Sequence, residues 1–339
     1  MVYWALIHTL LFAVAGFAHP QANDTFKYDY SIRGRNPAPN THFSTSSYSE
    51  RFPDIAAAFD GNKRFMANRD SALFQSLVQN GQKPPFMMVA CSDSRASESI
   101  FDLAFGNFFM ERNIANQFRL DDFNTQRFVL DLETSSLRAL TTYDYSVMSY
   151  GVYALGAQHI VILGHYSCGG VAASIATPPK APIDVPTQIV HTWISDIRSL
   201  YLSSNRTEVA QMRIANEIKE ASGGTVPPPG IRDPGFRALV EENVKLQVQK
   251  VVDSPVIKNR FAEIVQRLNP DGTPKPSEQD SHHQRRGETG SIRPLFVHGW
   301  VHDLETGEVI DLNVSRGPPG FENYTPSSDG SSHPPPASS

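Results

Sequence analysis

Apolar positions repeat with two different periods along this chain. From Phe52 to Asn80, the residues Ile55, Ala58, Phe59, Phe65, Leu73 and Leu77 recur at helical intervals, which predicts amphipathic helices that pack on the domain or on a second subunit. From Pro85 to Ala176 short apolar runs alternate with longer mixed ones. This pattern predicts a strand ending at Ala90, a short helix around 97–104, a strand over 108–112, a helix near 142–155, a strand over 158–164 and a helix opening at Gly169. Alternation of this kind implies right-handed crossovers and a parallel sheet. Helical patterns over 187–202 and 236–252 follow, then strands over 295–303 and 308–314 joined by a turn at Glu305-Thr306-Gly307. The expected fold class is α/β: a central, mostly parallel β-sheet flanked by helices, with an N-terminal helical arm and a C-terminal β-hairpin.

The segments outside this pattern carry a different message. Residues 1–18 are apolar and end in small residues at Gly16 and Ala18, which reads as a secretory signal peptide despite the missing basic start. An uncleaved anchor is the competing reading, but the run is at the short end for spanning a bilayer. A polar arm over 19–48, a folded domain over 49–316 with insertions at 117–140 and 269–293, and a disordered Pro/Ser/Gly-rich tail over 317–339 complete the expected organisation. Sequons at Asn23, Asn205, Asn313 and Asn323 are glycosylation candidates and agree with a secreted protein that keeps no membrane anchor after cleavage.

Composition narrows the class further. A chain of 339 residues with 40% hydrophobic content can bury a sizeable core, and a net charge of -5 without a basic stripe argues against nucleic acid as a partner. The chain has two cysteines, Cys91 and Cys168. By count alone they suggest one structural disulfide in an exported protein. Their setting favours a metal instead: Phe86-Met87-Met88-Val89-Ala90 ends at Cys91 and Ile160-Val161-Ile162-Leu163-Gly164 ends at His165. In an open α/β sheet, ligand-binding groups gather outside the carboxyl ends of parallel strands, where both thiols and the imidazole would converge. Three ligands of this kind suit a catalytic zinc, one ion per chain, with its fourth position open.

Five ordered motifs then make a family resemblance specific. They are Gly81-Gln82-Lys83-Pro84-Pro85-Phe86 leading into Cys91-Ser92-Asp93-Ser94-Arg95; Arg112-Asn113-Ile114-Ala115-Asn116-Gln117; His165-Tyr166-Ser167-Cys168-Gly169-Gly170; Glu242-Asn243-Val244-Lys245-Leu246-Gln247; and the run from Val297 to Gly307. The chain resembles a β-class carbonic anhydrase of the plant-like branch over roughly residues 50 to 315. The resemblance implies zinc-dependent, reversible hydration of CO2 to bicarbonate and a proton by attack of a zinc-bound hydroxide. It also implies a homodimer or higher homo-oligomer. Arg95 would hold the carboxylate of Asp93, which accepts a hydrogen bond from the zinc-bound water and can close the site when released. Gln82, Phe109 and Tyr150 would line a small substrate pocket, with Gly169 and Gly170 beside it. Members with a regulatory bicarbonate site carry tryptophan three residues before the first zinc cysteine; here Met88 stands there, which implies that the regulatory site is absent. His282, His283, His298 and His302 read as loop or structural residues. The alternatives are a CS2 or COS hydrolase on the same scaffold and a secreted zinc-binding protein without activity.

Overall fold

The computed structural model of the protein describes residues 52–119, 143–276 and 292–325. The expected signal segment and arm, Asn23, His282, His283 and the last fourteen positions lie outside the described residues, as do most of the two expected insertions. Two units divide after Asp70. The first holds α1 (Pro53–Asn68), which opens with proline in its first turn, where a missing N–H costs little, and which contains no buried residue.

The second unit begins with α2 (Ser71–Asn80), whose Leu77 closes so tightly on Gly106 that a β-carbon there would lie 2.8 Å from Leu77 Cδ2. A five-stranded sheet follows, made of β1 (Phe86–Cys91), β2 (Phe108–Asn113), β3 (His159–His165), β4 (Phe296–His302) and β5 (Val309–Asp311), in the order β2-β1-β3-β4-β5. All pairs are parallel except β4 with β5. The mostly parallel sheet is therefore the expected one, and its apolar runs are continuous because both faces are covered. The register sets the carboxyl ends side by side: Ala90 pairs with Leu163, Cys91 with Asn113, and His165 with His302.

Helices α3 (Tyr143–Ser149), which runs on as a π-helical turn over Tyr150–Ala154, α4 (Gly169–Ile175), α5 (Val185–Trp193), α6 (Ser195–Ser203), α7 (Thr207–Ala221), α8 (Pro234–Asp253) and α9 (Pro255–Arg267) follow, with a 3-10 turn at Ile114–Asn116. α8 lies directly on the sheet. Gly164 of β3 and Gly299 of β4 let it approach, since a β-carbon at Gly164 would lie 2.4 Å from Val244 Cγ2 and one at Gly299 3.1 Å from Val248 Cγ2. Val89, Ile160, Ile162, Val297 and Val301 pack with Leu239, Val240, Val244 and Val248 in that layer. On the other face Met88, Ala90, Val161 and Leu163 lie under Phe86, Phe101, Phe108 and Trp300.

Several local expectations are corrected. The helix expected over 97–104 is one 3-10 turn, Glu98–Phe101, stopped by Asp102 in a left-handed conformation at φ 49. The single helix expected over 187–202 is split at Ile194 into α5 and α6. The strand expected over 308–314 ends at Asp311, because Asn313 turns the chain at φ 55 and its N–H bonds Asp311 Oδ1 at 2.8 Å. Helices α7 and α9 were not expected. α7 buries only Val209, so its stripe is faint, whereas α9 buries Val256, Ile257, Phe261 and Ile264 behind a Ser254-Pro255 start that was legible. Residues 317–325, expected in a disordered tail, pack on the sheet: Phe321 is buried and Tyr324 stacks on Phe296 at 5.8 Å. Among the described residues no helix is long and apolar enough to cross a membrane.

Candidate metal centre

The sheet register brings three donors together. Cys91 is the last residue of β1, His165 the last of β3, and Cys168 precedes the first turn of α4. Ser167 sits between the second and third at φ 63, a left-handed conformation that folds the chain back within three residues. All three side chains are buried, their donor atoms lie within 4.8 Å of one another, and the two sulfurs are 4.0 Å apart. That is well beyond the disulfide length of about 2.05 Å, and both cysteines are free.

The histidine is aimed. Its Nδ1 pairs with the Tyr166 carbonyl at 2.9 Å, which places the hydrogen on Nδ1 and turns a bare Nε2 toward the sulfurs. Nε2 is buried and has no hydrogen-bond partner. Buried polar atoms are nearly always satisfied, so an imidazole fixed on one side and unpaired on the other has the form of a metal ligand with its outer partner in place. The contact with Cys168 makes Cys91 the thiolate of the pair, lowered to about 4 against the opposing effect of burial, while Cys168 is raised. A cation between them would take the place of the shared proton. The donors present thus fit a metal ion.

Beside this set, Arg95 grips Asp93. The Arg95 N–H and Nε donate to Oδ1 at 2.9 and 3.0 Å, and Nη2 donates to Oδ2 at 2.7 Å. These bonds hold the Asp93 carboxyl well below the usual carboxylate range. Asp93 Oδ2 lies 3.8 Å from His165 Nε2, and Arg95 Nη2 also reaches the Ser167 carbonyl at 3.4 Å, so one guanidinium spans both ligand-bearing turns.

The sequence pattern marks no role for Arg112, but the structure shows one. Its guanidinium donates to the carbonyls of Cys91 (2.9 and 3.1 Å), Asp93 (3.0 Å) and Ala96, and it pairs with Glu98 at 3.7 Å. It thereby pins the turn that carries the first thiol and the carboxylate.

The other named positions are spread out. Gly170 is a close-approach glycine, since a β-carbon would meet Ile114 Cγ2 at 3.0 Å and Ala115 Cβ at 3.1 Å; Gly169 faces open space, and neither has positive φ. Phe109 and Tyr150 touch, with ring centroids 5.8 Å apart. Phe109 pairs with Met87, however, four residues before the Cys91 level, or roughly 13 Å along the strand. Gln82 is exposed in the loop entering β1. These three are not gathered around the donors of their own chain. Met88 is fully buried. His298 pairs with His159 at 3.0 Å and with Ser315 Oγ at 2.9 Å, and His302 is buried beside His165 in the sheet. Asn205, Asn313 and Asn323 are exposed.

The carbonic anhydrase family model matches residues 86–268, more than half of the chain. A carbonic anhydrase of Emericella nidulans is 28% identical over 284 residues, covering 82% of this chain and 91% of that protein. Among solved structures, a tetrameric β-carbonic anhydrase of Sordaria macrospora aligns with a TM-score of 0.48 at 20% identity, covering 79% of this chain and 99% of the other. A β-carbonic anhydrase of Aspergillus fumigatus aligns with a TM-score of 0.47 at 24% identity, covering 77% and 91%. With the family match running from the first residue of β1 through the three donors to the end of α9, the chain belongs to the β-carbonic anhydrase family of enzymes.

Proposed function

We propose that this protein catalyses the reversible hydration of CO2 to bicarbonate and a proton at one zinc ion per chain, held by Cys91, His165 and Cys168. The observation that carries the reading is the buried, unpaired Nε2 of His165 facing two sulfurs 4.0 Å apart. Two thiolates on one tetrahedral zinc at about 2.3 Å each lie about 3.8 Å apart, so the donors are already spaced for it. Zinc bound there supplies a nucleophile from water near neutral pH. The protein's part is to orient that water. Asp93, kept ionised by Arg95, accepts a hydrogen bond from the attacking water and leaves a lone pair free to face the carbon of CO2. Arg95 would also restrain that carboxylate from ligating the metal itself.

The pocket reading of Gln82, Phe109, Tyr150, Gly169 and Gly170 divides in two. Gly169 and Gly170 adjoin Cys168 in sequence, whereas Gln82, Phe109 and Tyr150 serve the site of a second copy in a homo-oligomer. Support for this lies in the half-exposed ring of Tyr150, which leans on Phe109 well away from its own chain's donors. Stopped-flow CO2 hydration on purified protein with measured zinc content tests the whole reading. Hydration that rises in proportion to zinc supports it, and zinc-replete protein without hydration overturns it.

The same reading has the protein exported. Cleavage near Ala18 releases it outside the cell, with glycan on at least one of Asn23, Asn205, Asn313 and Asn323. N-terminal sequencing of the cell-free product checks this, and an intact Met1 on retained protein contradicts it.

A further inference from the structure

We infer that Asn243 is a positioning residue for the metal centre, acting through the backbone of Ala115 on the sulfur of Cys91; the inference rests on the reading of Cys91, His165 and Cys168 as metal ligands. The Ala115 N–H points at Cys91 Sγ from 3.4 Å. To aim it, Ala115 takes φ 62 and Asn116 φ 45, left-handed conformations that residues with a β-carbon avoid. Such backbone persists only where its surroundings over-determine it.

Here the surroundings are two buried amides on α8. Asn243 Nδ2 donates to the Ala115 carbonyl at 3.1 Å, so the held oxygen and the N–H that faces the sulfur belong to the same residue, on either side of its Cα. Gln247, one turn later, donates from Nε2 to Asn243 Oδ1 at 3.0 Å and fixes which way the Asn243 amide faces. Its own Oε1 accepts the Phe118 N–H at 2.9 Å, so the pair grips the segment on both sides of its bend. Trp193 Nε1 holds the Ile114 carbonyl at 2.8 Å from a third direction. Ala115, Asn243 and Gln247 are at most 1% exposed. The other buried residues of α8 are all apolar, Phe236, Leu239, Val244 and Val248 among them, so the two amides interrupt an otherwise apolar stripe. Buried amides are tolerated only when satisfied, and these are satisfied by the backbone that reaches the sulfur.

A hydrogen bond to a ligating sulfur withdraws charge from it and fixes its orientation. Outer partners of this kind tune both the affinity and the electrophilicity of a bound metal. Asn243 therefore sets how strongly Cys91 donates, although it touches neither the metal position nor the substrate.

Cobalt(II) loaded into the full-length protein in place of zinc reads this directly, because thiolate-to-cobalt charge-transfer bands follow the electron density on sulfur. Wild-type protein should bind one cobalt per chain with such bands; failure at this step sinks the metal reading itself. Asn243→Ala and Gln247→Met should keep the cobalt but move the bands to longer wavelength, and with zinc their kcat should fall by about tenfold to a hundredfold. Ser254→Ala removes the buried start of α9, where Ser254 Oγ bonds the Val251 carbonyl at 2.7 Å, and should lower Tm without moving the bands. If Asn243→Ala does not fold, the near-isosteric Gln247→Met carries the test. Folded variants with one cobalt and unshifted bands overturn the inference and leave Asn243 a structural residue only.

Discussion

Arg95 holds both carboxylate oxygens of Asp93 although Arg95 itself is more than half exposed. The side-chain exposures are 57% for Arg95 and 17% for Asp93. Judged by exposure, the pair would contribute only about 0 to 1 kcal/mol to stability. Judged by position, it lies between the ligand-bearing turns and keeps Asp93 3.8 Å from His165 Nε2.

The two descriptions separate in Arg95→Ala. Zinc content should stay at one per chain and Tm should change little, while kcat/KM falls roughly a hundredfold, equivalent to about 2.7 kcal/mol of transition-state stabilisation. Metal analysis with stopped-flow kinetics checks it. Activity within a few-fold of wild type at full zinc would reduce the pair to a surface contact.

Replacing Cys168 by serine should abolish zinc retention and CO2 hydration together, because the 4.0 Å sulfur pair supplies two of three donors. Detection of a Cys91–Cys168 disulfide in fully active protein would rule the assignment out.

Raising bicarbonate should inhibit without cooperativity. Met88 stands where members with the regulatory site carry tryptophan, and it is fully buried among Ala90, Val161 and Leu163. A sigmoidal loss of rate with bicarbonate concentration would contradict this.

Acid should cost stability at a defined place. Burial, assisted by His159, lowers the His298 pKa from its ordinary 6.5 to about 4. Between these values the unfolded chain takes up a proton that the folded chain refuses. The contribution is therefore complete above pH 6.5, declines as pH falls toward 4 and is gone below it. Its size is about 2 kcal/mol, less than the full shift because the ring is partly solvated. Denaturant titrations at pH 7 and pH 4.5 should show that the difference shrinks in His298→Phe; an unchanged difference would assign the acid sensitivity elsewhere.

Much of the molecule follows from local pattern. The runs ending at Cys91 and His165 are apolar at every position, which suits only strands covered on both faces, and the order of runs implies a parallel sheet with coinciding carboxyl ends. Thiol and imidazole are specific enough in their chemistry that two cysteines and one histidine at those ends point to a metal. Periodicity also places α8, whereas α9 is not among the expected helices even though its Ser254-Pro255 start and apolar stripe are local signals.

Tertiary structure decided what depends on contacts between distant parts of the chain. Asn243 reaches Ala115 across 128 positions, and Arg112 gathers carbonyls from a turn 16 to 21 residues away. Neither bond has a local signature, because each exists only once register and helix packing have brought its partners together. Ala115 adopts a left-handed backbone against its own preference, and Phe321 leaves a Pro/Ser/Gly-rich context to be buried. The sequence alone determined which residues can ligate and where strands end, since side-chain chemistry and hydrophobic period are properties of the chain itself. The orientation of the His165 ring, the grip on Asp93 and the N–H directed at Cys91 required the fold, since directional bonds act only at distances that packing sets.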